Sequence, residues 1–417
     1  MQQTLRSSSQ MMTRLCLLIV TLFSAASAQA QQTFSVDRLT DAGEGDGLVG
    51  DLRYCITNAI DGDTITFTVT GTINLTSVLP DLTRSINIEG PGSKLLTVQR
   101  SIGGEYRIFT NRAVVSISGL TITGGTSGQV ETGCLRPGAL GGGVYNSGTL
   151  TLNDCVISDS RVGDLRATFG GCGGGVYNSG TMAINNATIL RNHAGREFGD
   201  GYGGGIYNAG VLTVSNSTIS GNLAGPNTYR FTSGEGGGVF STGMVTIENS
   251  TISGNSAQTY CIEFCGFARG GAISATAVTL RNSTVSNNTA GEEGSCGGMA
   301  WANNLDMRNT ILANNRADND GNDLCGNITA SGYNLIGDPR GGTGFDKTDL
   351  LNVNPILGPL QDNGGPTFTH ALLPGSPAID AGDPDFIGPL GFDQRGEGFP
   401  RIVNGIVDIG AFEVQAQ

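Results

Sequence analysis

Lysine is nearly absent: it occurs only at Lys94 and Lys347 in a chain of 417 residues whose formal charge is −13. Charged residues make up 14% of the chain, tryptophan occurs once, and histidine only at His193 and His370. So little positive charge on an acidic chain, with no basic patch interleaved with aromatics, argues against nucleic acid as a partner. No paired CxxC is present, which removes the usual zinc ribbon or finger. The apolar run from Leu15 to Phe23 is too short to span a bilayer, and no other stretch qualifies. Glycine is the opposite case, with 67 residues.

Much of that glycine belongs to a repeat. Clear copies read GGGVYNSGTLTLNDCVIS from Gly141, GGGVYNSGTMAINNATIL from Gly173 and GGGIYNAGVLTVSNSTIS from Gly203. Looser copies begin at Gly236, Gly270 and Gly297, and a degenerate one at Phe109. One apolar position marks the period: Ile122, Ile157, Ile189, Ile219, Ile252, Val285 and Leu312. The steps between them vary, as they do when a fixed structural block carries a surface loop of variable length.

Within each block the pattern has period two. Met182 and Ile184 alternate with Thr181, Ala183 and Asn185, and Leu212 and Val214 with Thr213 and Ser215. Period two over short runs rich in Val, Ile and Thr reads as strands with one face inward. A helical solenoid would need longer runs at period 3.6 and fewer glycines.

Three columns of asparagine fix the kind of β structure. They are Asn186, Asn216, Asn249, Asn282 and Asn309, preceded by Asp154; Asn192, Asn222, Asn255, Asn288 and Asn315; and Asn111, Asn146, Asn178 and Asn208. Asn tolerates the left-handed conformation of a sharp corner, and stacked amides can bond from one copy to the next. Corners recurring in register imply coils laid flush on each other. The expected fold is all-β, a right-handed single-stranded parallel β-helix. The glycine runs before the strands supply positive φ or close backbone approach.

Residues 1–30 read as a secretory signal: Arg6 and Arg14, then the apolar run, then Ala28-Gln29-Ala30 as a small-x-small cleavage pattern. Residues 31–106 read as an N-terminal cap with irregular first coils, 107–330 as the repeats, and 331–417 as closing coils with a C-terminal domain. In the first of these, Leu52, Cys55, Ile56, Ala59 and Ile60 share one helical face, giving a short helical cap for the open solenoid end. Eight cysteines follow the signal. Cys134 and Cys172, and Cys261, Cys265 and Cys296, fall in loops before successive glycine runs. The expected disulfides are Cys134–Cys172 and Cys265–Cys296, with Cys261–Cys265 as the competitor. Cys155 reads as a small core residue.

DLRYCITNA from Asp51 resembles the CSLREAI-type N-terminal region of bacterial secreted repeat proteins. GGGVYN and NSTISGN resemble blocks of secreted parallel β-helix proteins, and GGAI at Gly270 is similar to a repeat of polymorphic outer-membrane proteins. SGYNLIGD from Ser331, NPILGPLQDNGGPTFTHALLPGSPAIDAG from Asn354, DQRG at Asp393 and DIGAFE at Asp408 resemble the choice-of-anchor Q domain. These resemblances imply a pectate-lyase-like solenoid that is secreted or held at the cell surface. With no apolar tail and no LPxTG-type signal after Glu413, the expectation is a freely secreted or non-covalently held protein, and a monomer.

Parallel β-helices often carry polysaccharide lyases and hydrolases, but fold alone names no site. The variable loops hold Arg161, Asp164, Arg166, Arg196, Glu197, Asp200, Arg230, Glu235, Glu263 and Arg269. Stacked, they could line a saccharide groove, with an Arg as base and carboxylates holding Ca²⁺; solenoid loops are polar in any case. DNDGND, from Asp318 to Asp323, resembles a Ca²⁺ loop without the distal Glu, and reads more simply as a solvated turn. Neither histidine has an evident nucleophile beside it. Asp380, Asp393, Arg395, Arg401 and Asp408 are expected to pair within the C-terminal domain. No residue is assigned a catalytic, cofactor or metal role. The expected function is a structural, adhesive or glycan-binding scaffold whose partner is an extracellular glycan or cell-envelope component; the alternative is a polysaccharide lyase or glycoside hydrolase.

Overall fold

Each repeat makes one coil because its inward apolar residues sit in short strands separated by corners that the backbone can turn only at particular residues. One coil comprises Gly170–Cys172, Val176–Asn178, Thr181–Asn185, Thr188–Leu190 and His193–Ala194. The computed structural model describes residues 30–415, apart from residues 102, 129–130, 136–137, 164–169, 196–198, 227–231, 260–266, 292–293, 320 and 387–390, with backbone alone at 301–303 and 331. Of residues 1–30, read above as a secretory signal, 1–29 lie outside the described residues, as do Cys261 and Cys265.

The coils form a parallel β-helix over the unit Thr33–Gln417. Ile122 pairs in register with Ile157, Ile157 with Ile189, Ile189 with Ile219, and so on through Ile252, Val285 and Leu312. The same parallel sheet extends back to Ile73 and Val98 and forward to Ile336 and Leu351. Every return to it is a crossover between parallel strands, the connection that is right-handed for twisted L-peptide chains. The column from Ile73 to Ile336 is buried throughout. Each such side chain contributes roughly 1.5–3 kcal/mol.

The asparagine columns divide the labour. Asp154, Asn186, Asn216, Asn249, Asn282 and Asn309 all have φ between 46° and 52°, the left-handed corner that most L-residues resist. The second column instead points inward and forms a ladder. Asn192 donates to Asn222 at 3.0 Å, Asn222 to Asn255 at 2.9 Å, Asn255 to Asn288 at 2.9 Å and Asn288 to Asn315 at 2.8 Å. The third is also an internal ladder, from Asn111 through Asn146 and Asn178 to Asn208, ending on Ser241. The first glycine of a run takes the left-handed conformation: at Gly173 φ is 70°, and a Cβ would lie 2.0 Å from the Val176 carbonyl oxygen.

The N-terminal cap contains helix α1 (Leu52–Asn58), whose N-cap Asp51 accepts from the Tyr54 amide at 2.8 Å. Leu52, Cys55, Ile56 and Ala59 bury on the first coils, while Ile60 stays partly exposed.

The C-terminal segment does more than close the last coil. After an antiparallel hairpin, Leu357–Gln361 with Thr369–Leu372, it lies along the outer side of the coils. The Gln394 amide accepts from Thr251 at 2.6 Å and donates to Thr218 at 3.0 Å. The Ala411 amide donates to Thr284 at 3.0 Å, and that of Asp383 to Asn309 at 2.8 Å. Of the expected C-terminal pairs, Asp393 and Arg395 form a buried ion pair, with the guanidinium between the rings of Phe399 and Phe412 at 3.9 and 3.8 Å. The others differ. Arg401 is fully buried and donates to the carbonyls of Asp408 and Gly410, while the Asp408 carboxylate accepts from the amides of Asp380 and Val414. Compact loops without a sheet leave backbone groups unpaired, and side chains satisfy them.

Cys134–Cys172 forms as expected. Cys265–Cys296 does not: the partner of Cys296 is Cys325, with the Cα atoms 5.5 Å apart. Met299 pairs with Leu324 in the ladder, so Cys325 arrives beside Cys296 one coil later, from a strand rather than from a preceding loop. Cys155 is a buried core residue, its thiol pushed up to about 12 by burial.

Candidate functional site

Of the charged loop residues, Arg161, Asp200, Glu235 and Arg269 are described; Asp164, Arg166, Arg196, Glu197, Arg230 and Glu263 lie outside the described residues. The fold brings Glu235 and Arg269 together as register partners on successive coils. Arg161 stands apart, exposed beside His193 in another sheet. Asp200 holds the neighbouring loop, accepting from the Ser233 amide at 2.7 Å.

What surrounds Glu235 and Arg269 comes from the GGGVYN motif. Its Val points inward and its Tyr outward, so the outward residues stack: Tyr145 on Tyr177 at 5.2 Å, Tyr177 on Tyr207 at 5.2 Å, and Tyr207 on Phe240 at 5.3 Å. These are offset-stacking distances. Leu140, Cys172 and Tyr202 from the short strands before the glycine runs cover the column's middle, where the Tyr177 hydroxyl donates to the Gly133 carbonyl at 2.7 Å. The column stops at the next coil, where the register partner of Phe240 is Ser274. A pocket of about 220 Å³ opens there, lined by Glu235, Phe240, Ser241, Thr242, Arg269, Ser274, Ala275 and Thr276.

Burial pushes the Glu235 carboxyl up, while Arg269 and a hydrogen bond from Ser274 at 3.3 Å pull the other way. The Arg269 guanidinium lies 4.5 Å from the exposed Phe267 ring. The pocket therefore offers an aromatic wall, hydroxyl groups, a carboxyl and a guanidinium within one ring-sized space. The sequence reading placed Glu235 and Arg269 in loops but missed Phe240 and Ser274. The signal was present: the outward position reads Tyr, Tyr, Tyr, Phe, Ser in phase with the asparagine ladder.

A second charged group lies on the outer face of the long sheet, where Glu248, Arg281 and Arg308 are in register. Here the guanidinia are matched by carboxylates: Arg281 with Asp306 and Arg308 with Asp383. His193 bonds the Gly225 carbonyl oxygen at 2.8 Å. His370 corrects the sequence reading, for Ser253 lies beside it, Oγ to Nε2 at 2.9 Å. Its Nδ1 donates to the Gly358 carbonyl at 2.7 Å, so Nε2 accepts from the serine. Both side chains are buried, which makes the pair a pin between the C-terminal segment and the coils rather than a nucleophile facing substrate. At the end of the DNDGND segment Asp323 is buried, while Asp318 and Asn319 are exposed. Asp323 terminates the asparagine ladder, accepting from the Asn315 amide and side chain at 3.0 and 2.8 Å, and burial raises its carboxyl to about 6. No group of three or more His, Cys, Asp or Glu among the described residues is placed to hold a metal ion.

One solved structure is similar to the chain. The crystal structure of pectate lyase Pel9A aligns with a TM-score of 0.46 and 14% identity, over 93% of this chain and 98% of that one. No protein-family model and no curated protein matches the chain. The fold rests on the strand register described above, and the site's chemistry on its own residues.

Proposed function

We propose that the protein is an exported, glycan-binding β-helix scaffold, and that the pocket at the end of the aromatic column takes one sugar ring. The observation that carries this reading is the replacement of the next aromatic by Ser274. A sugar's apolar C–H face can pack against the Phe240 wall, while its hydroxyls meet Glu235, Ser274 and Arg269. Disulfides, including Cys134–Cys172 and Cys296–Cys325, agree with an oxidising compartment, as the signal-like N-terminus suggests. A lyase or hydrolase is the rival, favoured by the adjacency of Glu235 and Arg269. A glycosidase of the common kind uses two carboxyls flanking the scissile bond, about 5–9.5 Å apart. Among the described residues the pocket lining supplies one.

The test is a screen of the mature protein against neutral and uronic-acid glycans, reading both binding and new chain ends. Binding without new ends is expected. Ser274→Phe would continue the column, fill the pocket and weaken binding at this pocket about tenfold or more, the loss of roughly 1.4 kcal/mol. Release of chain ends, or full binding by the filled variant, would overturn the reading.

A further inference from the structure

We propose that the opposite end of the same aromatic column is a second and independent saccharide site, so that one molecule holds two glycan chains. This rests on the ring-binding reading of the Ser274 pocket and extends it.

The column is bounded alike at both ends. Just as Ser274 succeeds Phe240, the residue preceding Tyr145 in register is Thr110. A pocket of about 370 Å³ opens at Thr110 as well, and its aromatic wall is Tyr106 rather than the column's own Tyr145. Its character differs. Arg107 and Arg112 both approach the Tyr145 ring, at 4.9 and 5.7 Å from its centre. Each is held by a carboxylate, Arg107 by Glu131 and Arg112 by Asp81. A guanidinium beside a carboxylate presents a donor next to an acceptor, the complement of the neighbouring hydroxyls of a sugar ring, each of which can accept from one and donate to the other. The volume admits more than the single ring that the Ser274 pocket holds.

Charge selects among saccharides. Asp81, Glu105 and Glu131 outnumber Arg107 and Arg112 around the pocket. Formal charge there is negative, which disfavours a uronic-acid or sulfated chain and leaves neutral glycans as the ligand class.

The two sites cannot share one straight chain along the column. They stand five register steps apart, about 24 Å at ~4.8 Å per step. Between them Tyr177 and Tyr207 are 3% and 2% exposed beneath Leu140, Cys172 and Tyr202. Each pocket is therefore entered separately, and the molecule is bivalent.

The test is isothermal titration of the full mature protein with cellohexaose, xylohexaose and mannohexaose. The expected result with at least one of these is two sites per protein. Ser274→Phe leaves one and Thr110→Phe leaves the other. Arg112→Ala, on a half-exposed side chain, weakens the second site by about tenfold without touching the first. Unchanged thermal melting accompanies each variant. One site, abolished by Ser274→Phe and indifferent to both Thr110→Phe and Arg112→Ala, would overturn bivalency while leaving the first pocket's reading intact. No binding to any of the three would overturn bivalency for neutral glycans; binding confined to uronic-acid polymers and lost in Ser274→Phe would still keep the first reading.

Discussion

Replacing Asn222 by alanine should cost about 4–6 kcal/mol. Asn222 is 1% exposed and its side chain sits in the middle of the inward ladder. Its Nδ2 donates to the Ile189 carbonyl and to Asn255, both at 2.9 Å. Its Oδ1 accepts from the Asn192 amide at 2.9 Å and from the Asn192 side chain at 3.0 Å. Truncation leaves the Asn192 amide buried without its acceptor, about 1–3 kcal/mol, and removes further bonds at roughly 1 kcal/mol each. The neighbouring column gives the control. Asn186 has φ 51° at a corner, where a non-glycine residue pays about 1–2 kcal/mol and glycine pays nothing. The order of two substitutions should therefore invert. At Asn186, glycine is better than alanine by about 1 kcal/mol; at Asn222, glycine is worse than alanine by about 0.5–1 kcal/mol. Urea unfolding followed by circular dichroism on the four variants measures this. Asn222→Ala within 1 kcal/mol of the parent, or the same order at both sites, would refute the assignment of separate tasks to the two columns.

Other substitutions reach other parts of the fold. Gly203→Ala should abolish stable folding, because φ is 66° and the added Cβ would lie 2.1 Å from the Ile206 carbonyl oxygen; soluble yield and melting temperature report it. Peptide mapping without reductant should recover Cys134 joined to Cys172 and Cys296 joined to Cys325. Cys55 and Cys155 should alkylate only after unfolding, since burial raises both thiols to about 12. Acid should weaken the contribution of His370 to holding the C-terminal segment. Burial lowers the folded pKa of His370 below its ordinary 6.5, so below that value the unfolded chain binds the extra proton first and stability falls as pH drops. His370→Gln should flatten that part of the urea midpoint against pH between 7 and 5; an unchanged slope would mean the imidazole is not the group responsible.

The solenoid was legible because period and register are written redundantly. Ile189 and Ile219 stack because every copy puts an apolar residue at the same distance from its corner asparagine. Glu235 and Arg269 could be placed in neighbouring loops for the same reason, but not the pocket, which exists only because Ser274 interrupts a column that lies outside the apolar count. Cys296 was misassigned because the coils shorten near the end, so the next loop is not like those before it. Least legible was the C-terminal segment. Its contacts join residues more than 140 apart, Thr251 to Gln394 and Thr218 to Phe368, and no periodicity announces them.

Those distant contacts impose an order of assembly. Thr218, Thr251 and Thr284 can be laid down by neighbouring coils alone, yet their hydroxyls find their final partners only when Phe368, Gln394 and Ala411 arrive. A growing chain emerging from its amino end thus carries an unsealed seam through most of its synthesis. The segment from Leu357 onward works as a clasp, fastening a spool that has already been wound.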